Sequence, residues 1–198
     1  VAAFRESLVR MRAGDPLPLE GLVRSLLAAG KKDEAIAVLN QQLDNSQNQL
    51  FAKFLLGGIY GQEGDQAKAE AYLEDVLKEK PDSVVAWASL AGVYKDRDKR
   101  VAVYQRAVKA VPASPEINML LATEYEQGGR FDDAIKVYES LLKSSPDYQP
   151  AINNLASLLL DRRTDKASHT RALTLAKALA NSDNPAMLDT LGWAHYRA

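Results

Sequence analysis

The chain contains no cysteine, and only two of its 198 residues are histidines. The lack of cysteine excludes disulfides, thiolate metal sites and a cysteine nucleophile, and it suits a reducing or an oxidising compartment equally well. His169 and His195 are far apart in sequence, and neither has a histidine four residues away with which it could share a metal ion. We therefore expect no metal site, and we interpret His195 as a residue at the edge of a core rather than as a ligand or base.

An excess of charge of one sign is also lacking, since 25 Lys and Arg residues face 26 Asp and Glu residues. Nucleic acids and anionic membranes are bound through a positive excess, so we expect neither as a partner. No apolar run is long enough to span a membrane, which argues against direct membrane insertion. The chain begins at Val1 without a signal-peptide pattern, and we expect it to be a piece of a longer protein.

Catalytic motifs are lacking as well. The sequence has no nucleophile elbow, no phosphate-binding loop and no glycine-rich turn between a strand and a helix. We therefore expect no enzyme activity, no catalytic residues and no cofactor. A catalytic site grafted onto a helical framework stays open as an alternative, because a fold alone does not exclude one.

What the sequence does have is a period of about 34 residues. Leucines recur with spacings of 34, 34, 31, 34 and 36 residues, at Leu22, Leu56, Leu90, Leu121, Leu155 and Leu191. Each is followed by a small or compact residue, and four places on there is usually a Leu or Tyr. This spacing puts the residues on one face of a helix, and the regular repetition predicts a helical repeat protein.

A second helix is predicted in each repeat. Gly30, Gly64 and Gly129 precede it, and glycine takes the positive φ that ends the helix before it. Small residues that allow close helix packing follow at Ala35, Ala69 and Ala134. Proline cannot continue a helix, and it ends the second helix at Pro81, Pro112 and Pro146.

These repeats resemble the tetratricopeptide repeat (TPR) family over almost the whole chain. The family pattern is present as Trp87, Leu90, Ala91, Tyr94, Tyr104, Ala107 and Pro112, and more clearly as Leu121, Ala122, Tyr125, Ala134, Tyr138 and Pro146. The resemblance implies an all-α fold, a right-handed α-solenoid of antiparallel helix pairs. We place repeats at 16–49, 50–83, 84–114, 115–148 and 149–184. Residues 1–15, with Phe4, Leu8 and Val9, are expected to be a leftover second helix, and 185–198 a first helix without its partner.

Two repeats depart from the pattern. The third is three residues short, and Arg100 stands where a small residue is expected. We interpret its "YKDRDKRVAVY" as a tighter, solvated turn. The fifth carries extra residues in "DRRTDKASHTRAL" between its helices, either a tolerated surface insertion or a loop that contacts a partner.

In TPR proteins the first helices line a concave groove that contacts ligands. The resemblance places nine residues there, namely Phe54, Gly58, Ala88, Gly92, Lys95, Met119, Thr123, Asn153 and Ser157. Glu126, Gln127 and Asp161 fall beside them, so charge is mixed toward the rim. The presence of Gly58 and Gly92 in predicted helices needs an explanation, because glycine lowers helix stability by up to about 1 kcal/mol relative to alanine. Helix packing, simple tolerance and room for a bulky partner side chain all remain open.

One TPR subclass clamps a C-terminal carboxylate with Lys and Asn, but the corresponding places here hold Gly, Ala, Thr and Phe. We therefore expect a peptide segment or protein surface as the partner, bound by apolar packing and side-chain hydrogen bonds. The segments "NNLASLLLDRR" and "NPAMLDTLGWAHYRA" are similar to TPR arrays of bacterial exopolysaccharide and cell-envelope systems. That similarity implies a scaffold in the assembly of a bacterial envelope or secretion complex. Its compartment stays open between the bacterial periplasm and the cytoplasm, and the similarity favours the periplasm. The alternative is a regulatory or targeting array attached to a catalytic domain.

The last predicted helix should be apolar on the side where a further helix would pack. Leu191 and Gly192 are expected to face the fifth repeat, and Trp193 to be partly exposed. We therefore expect either self-association through this helix or at least one further helix in the complete protein.

Overall fold

All regular secondary structure is helical over the residues that the computed structural model of the protein describes, which are 17–44 and 48–198. These residues form eleven α-helices and no strand, which confirms the all-α prediction. The first five are α1 (Leu17–Ala28), α2 (Lys32–Gln42), α3 (Gln49–Glu63), α4 (Gln66–Glu79) and α5 (Val84–Gly92). The others are α6 (Arg97–Ala110), α7 (Pro115–Gln127), α8 (Phe131–Ser144), α9 (Gln149–Arg162), α10 (Lys166–Ala176) and α11 (Pro185–Arg197). The helix predicted within 1–15 lies outside the described residues.

The chain divides into two compact units, of which the first ends at Lys95 and the second begins at Asp96. The first contains α1 to α5, and α3 packs mainly against α4. The second contains α6 to α11, and its closest pairs are α7 with α8 and α9 with α10. Short connections make such neighbours antiparallel, as the helix-pair prediction requires. The division falls inside the predicted third repeat.

The predicted turn residues end the helices. Gly30, Gly64 and Gly129 have φ of 71°, 80° and 71°, which favours glycine. Side chains of Asp65, Ser83, Asp96, Ser114, Asp165 and Asn184 each accept a backbone N–H in the first turn of the next helix. Such caps replace hydrogen bonds that a helix start lacks, so local sequence fixes the boundaries.

The periodic leucines form the core as predicted in five of six places. Leu22, Leu56, Leu90, Leu121 and Leu155 are buried, as are the three alanines predicted on the second helices. The sixth place differs, because Leu191 is only half-buried while Gly192 and His195 are exposed. Thr190 and Ala194 are the buried residues of α11. The expectation that Gly192 faces the fifth repeat, and that His195 lies at a core edge, is therefore wrong.

Gly57 lies at a close contact within the α3–α4 pair. A Cβ atom there would lie 2.7 Å from Cγ of the fully buried Leu73, closer than real Cβ contacts. The prediction that small residues permit close packing is confirmed at this position.

Arg100 does not belong to a solvated turn. Residues 95–99 are exposed, but Arg100 is half-buried, and its Nε and Nη2 donate to the two carboxylate oxygens of Glu124 at 2.8 and 3.0 Å. The long residue thus connects α6 to α7 through a bidentate ion pair.

The extra residues of the fifth repeat are mostly helical, so neither loop interpretation holds. Only Arg163, Thr164 and Asp165 connect α9 to α10. His169 of α10 is buried, and its ring nitrogens lie 2.9 Å from the carbonyl oxygen of Arg163 and 3.2 Å from that of Arg197. It is a structural residue that holds the connection and the end of α11.

Candidate binding face

The candidate groove residues of the first unit lie on α3 and α5. Phe54 and Ala88 are half-buried, while Gly58 and Gly92 are exposed. The ring of Phe54 stacks on that of Phe51 with centroids 6.5 Å apart. These two first helices therefore present one aromatic side chain, that of Phe54, together with the small residues Gly58, Ala88 and Gly92.

Gly58 and Gly92 face open space. A Cβ atom built on either residue would meet no atom of the rest of the described structure within 4 Å. Helix packing is therefore not the reason for these glycines, in contrast to Gly57. Simple tolerance and room for a partner side chain remain.

Lys95 is not on the first helix of the third repeat, where the sequence prediction placed it. Helix α5 ends at Gly92, and Asp96 accepts the N–H of Lys99 at 3.0 Å to begin α6. This cap lies close after the end of α5, so the shortened repeat loses residues from its first helix. Tyr94 and Lys95 consequently lie in the connection between α5 and α6.

The candidate residues of the second unit lie on α7 and α9. Thr123 is exposed, and Met119, Asn153 and Ser157 are half-buried. Ser157 has its hydroxyl 3.2 Å from that of Thr190, so it ties α9 to α11. Asn153 donates to the side-chain oxygen of Asn154 at 3.2 Å, and its own Oδ1 is buried without a hydrogen-bond partner.

A cavity of about 390 Å³ opens among α7, α8 and α9. It is lined by Glu126, Gln127, Phe131, Asn154, Ser157, Leu158, Asp161 and Arg162. This is within the usual range of small ligand pockets, about 300–1,000 Å³. Four of the eight residues are among those that the family resemblance places in or beside the groove.

A hydrogen-bond chain fixes the polar side of this cavity. The fully buried Tyr138 donates its hydroxyl hydrogen to Glu126 at 2.5 Å and accepts from Nδ2 of Asn154 at 3.2 Å. Burial raises the pKa of Tyr138, and the bond to Glu126 raises it further. The hydroxyl therefore keeps its proton and remains a donor to Glu126.

The charges of the cavity are not paired with one another. Neither Glu126 nor Asp161 forms an ion pair with a basic residue in the described part of the chain. The guanidinium of Arg162 lies over the ring of Phe131, with its Cζ 4.1 Å from the centroid. Sequence reasoning did not find Phe131, Asn154, Leu158 or Arg162. The one available signal was Tyr138, since a buried tyrosine hydroxyl needs a partner.

No metal centre or membrane-spanning helix is found within 17–44 and 48–198. No group of three or more His, Asp and Glu residues there could hold a metal ion. None of the helices described is long and apolar enough to cross a bilayer.

Helix pairs with buried small residues, glycine turns and open first-helix faces define a helical-repeat protein. The chain belongs to the tetratricopeptide repeat family, because the family model "Tetratricopeptide Repeats-Sensor" matches residues 31–159. Proteins of this kind serve generally as protein-interaction scaffolds.

Relatives and solved structures are similar to this chain at low identity. A TPR repeat-containing protein of Pseudomonas aeruginosa is 28% identical over 134 residues, which are 66% of this chain and 22% of that protein. The chain thus spans about a fifth of the length of this curated relative. MamA of Desulfovibrio magneticus, from residue 41 on, is 18% identical with a TM-score of 0.54, covering 87% of this chain and 100% of that one. YrrB, described as a TPR protein with an unusual peptide-binding site, is 16% identical with a TM-score of 0.54, covering 94% and 96%. These structural likenesses concern the fold.

Proposed function

We propose that the chain is a non-catalytic scaffold whose first-helix faces bind a peptide segment or a protein surface. The observation that carries this proposal is the open space at Gly58 and Gly92. Gly58 weakens the interior of α3 without improving its packing, and Gly92 leaves the end of α5 without a side chain. Both glycines are explained if a partner side chain lies against the bare backbone. The peptide-binding site named for YrrB supports the same use of the fold.

The proposed groove residues of the first unit are Phe54, Gly58, Ala88 and Gly92, and those of the second are Met119, Thr123, Asn153 and Ser157. Phe54 and Met119 supply apolar area, and the others leave room or offer hydrogen bonds. Lys95 is proposed only as a neighbour of this face, because it lies beyond α5. Affinity would come from apolar burial and specificity from the few polar groups.

We further propose a role in assembling a bacterial envelope or secretion complex. Support comes from the similarity of the last two segments to such arrays and from the bacterial relative. Fractionation of cells and crosslinking of the full-length protein in place would test this. Recovery with envelope or secretion proteins is expected, and recovery only with unrelated cytoplasmic proteins would contradict it.

Peptide selection tests the binding proposal directly. A random peptide library is selected against the full chain, and affinities of the enriched peptides are measured by fluorescence anisotropy. Gly92→Arg places a long cation in the open space and should weaken binding at least about tenfold without loss of helicity. Ala67→Arg, on the exposed side of α4, is the matched control and should leave affinity unchanged.

Three outcomes would count against the proposal. They are a selection that enriches no peptide, a Gly92 variant that binds as well as the parent, and an equal loss of binding in both arginine variants. Turnover by the purified chain that follows the protein through successive purification steps would contradict the non-catalytic part.

A further inference from the structure

The cavity among α7, α8 and α9 has a definite electrostatic character. Two carboxylates, Glu126 and Asp161, line it together with one guanidinium, that of Arg162. The net charge of the lining is therefore negative by one. Because Arg162 lies over the face of Phe131, its cation–π contact holds it along one wall.

Glu126 is held as an acceptor by hydrogen bonds that all run in one direction. Asn153 donates to Asn154, Asn154 donates to Tyr138, and Tyr138 donates to Oε1 of Glu126. This chain fixes the orientation of the Glu126 carboxylate and supplies it with a neutral donor only. Its negative charge therefore forms no ion pair with a cation of the described residues.

Asp161 supplies a second negative charge from α9. It is exposed and forms no ion pair with the described residues. Two carboxylates from different helices, beside the amides of Gln127 and Asn154, give acceptors for several N–H donors. A lysine ammonium has three donors and an arginine guanidinium has five, so either matches this set.

We propose that this cavity binds a lysine or arginine side chain of the peptide that occupies the first-helix face. The inference rests on the proposed function and specifies its partner as a basic peptide. The cavity is large enough for one long side chain with its flanking backbone. The apolar stem of that side chain would lie along Leu158, and its cationic end between Glu126 and Asp161.

The same peptide selection gives the first test. Peptides enriched on the parent chain should contain Lys or Arg more often than the starting library does. The leading peptide and a version with norleucine in place of its basic residue are then compared by anisotropy. We expect the norleucine version to bind roughly tenfold more weakly, with a difference that shrinks at high salt.

Charge-removing variants locate the effect. Asp161→Asn and Glu126→Gln should each weaken the basic peptide about 3- to 10-fold, and neither should weaken the norleucine version. The amide introduced by Glu126→Gln keeps an oxygen that can accept the hydrogen bond from Tyr138, so we expect this variant to keep the fold. Asp147→Asn, which removes an exposed charge outside the cavity, is the matched control and should have no effect.

The outcomes separate this inference from the proposed function. If the enriched peptides lack basic residues, yet their affinity falls in the Gly92→Arg variant, binding at the first-helix face is supported and the proposed role of the cavity is overturned. Enrichment of peptides with Asp or Glu would indicate that Arg162 binds an acidic side chain in this cavity. That result would also overturn the inference of a basic peptide. If no peptide is enriched at all, both proposals fail.

Discussion

At the scale of single residues, two adjacent glycines of α3 have opposite surroundings. Gly57 lies against Leu73, where an added Cβ would be 2.7 Å from Cγ, whereas Gly58 has open space on its side. Gly57→Ala should therefore destabilise the fold by about 1–3 kcal/mol through overpacking. Gly58→Ala should stabilise it by up to about 1 kcal/mol, because alanine is the better helix former.

Urea-induced unfolding of the two variants measures this difference. The two changes are the same in chemistry and one residue apart, so each controls for the other. If both substitutions changed the free energy of unfolding with the same sign, the close contact at Gly57 would not limit the packing of α3 against α4. A stabilised Gly58→Ala variant that has lost peptide affinity would link the bare backbone to binding.

At the scale of the helix pair, the ion pair of Arg100 with Glu124 connects α6 to α7. Only 19% of the Arg100 side chain and 15% of the Glu124 side chain are exposed, so solvent screens this pair less than a surface pair. Arg100→Met should lower the free energy of unfolding by about 1–2 kcal/mol, because it leaves the Glu124 charge half-buried and less compensated.

Arg97→Met is the matched control for this prediction. Arg97 lies 3.6 Å from the same carboxylate, but 42% of its side chain is exposed. Its loss should change stability by no more than about 0.5 kcal/mol. Equal effects of the two substitutions in urea unfolding would show that the bidentate geometry contributes nothing special.

The exposed face of α11 is the other feature at this scale. Trp193 and Tyr196 stack with centroids 5.3 Å apart, and they are 41% and 79% exposed. We predict that a second copy of the chain packs against this face, since aromatic area left in water favours association. The double change Trp193→Ser and Tyr196→Ser should lower the average mass in sedimentation at high concentration.

Val85→Ser serves as the control for self-association. Val85 is 62% exposed but lies on α5, away from this helix in sequence. It should leave the sedimentation profile unchanged. A parent chain that stays monomeric at every concentration tested would contradict the prediction.

At the scale of the whole molecule, the features that could be predicted were those with a repeating or local cause. The spacing of Leu56, Leu90 and Leu121 predicted the core, since one face of each first helix from α1 to α9 is buried in the same way. Gly64 and Gly129 predicted turns because a positive φ has a local signature. Family resemblance then supplied the choice of the first-helix face, which periodicity alone does not give.

What sequence reasoning missed depends on contacts between helices. Lys95 was predicted on α5, but the cap at Asp96 begins α6 so early that α5 ends before Lys95. The repeat pattern did not show which helix these residues would belong to. The surroundings of α11 were misjudged because Thr190 meets Ser157 there instead of the periodic Leu191 being buried. The cavity was missed because Phe131 and Arg162 come together only when α8 and α9 are packed.

The measurement that tests the central claim most directly is an NMR titration of the isotope-labelled chain with a selected peptide. The account predicts shifts of backbone amide signals on the first helices, at Gly58, Gly92 and Thr123, and little change at Ala67 of α4 or Lys136 of α8. Shifts confined to the second helices, with the signals of Gly58 and Gly92 unmoved at saturation, would contradict the claim that the first-helix faces bind the partner.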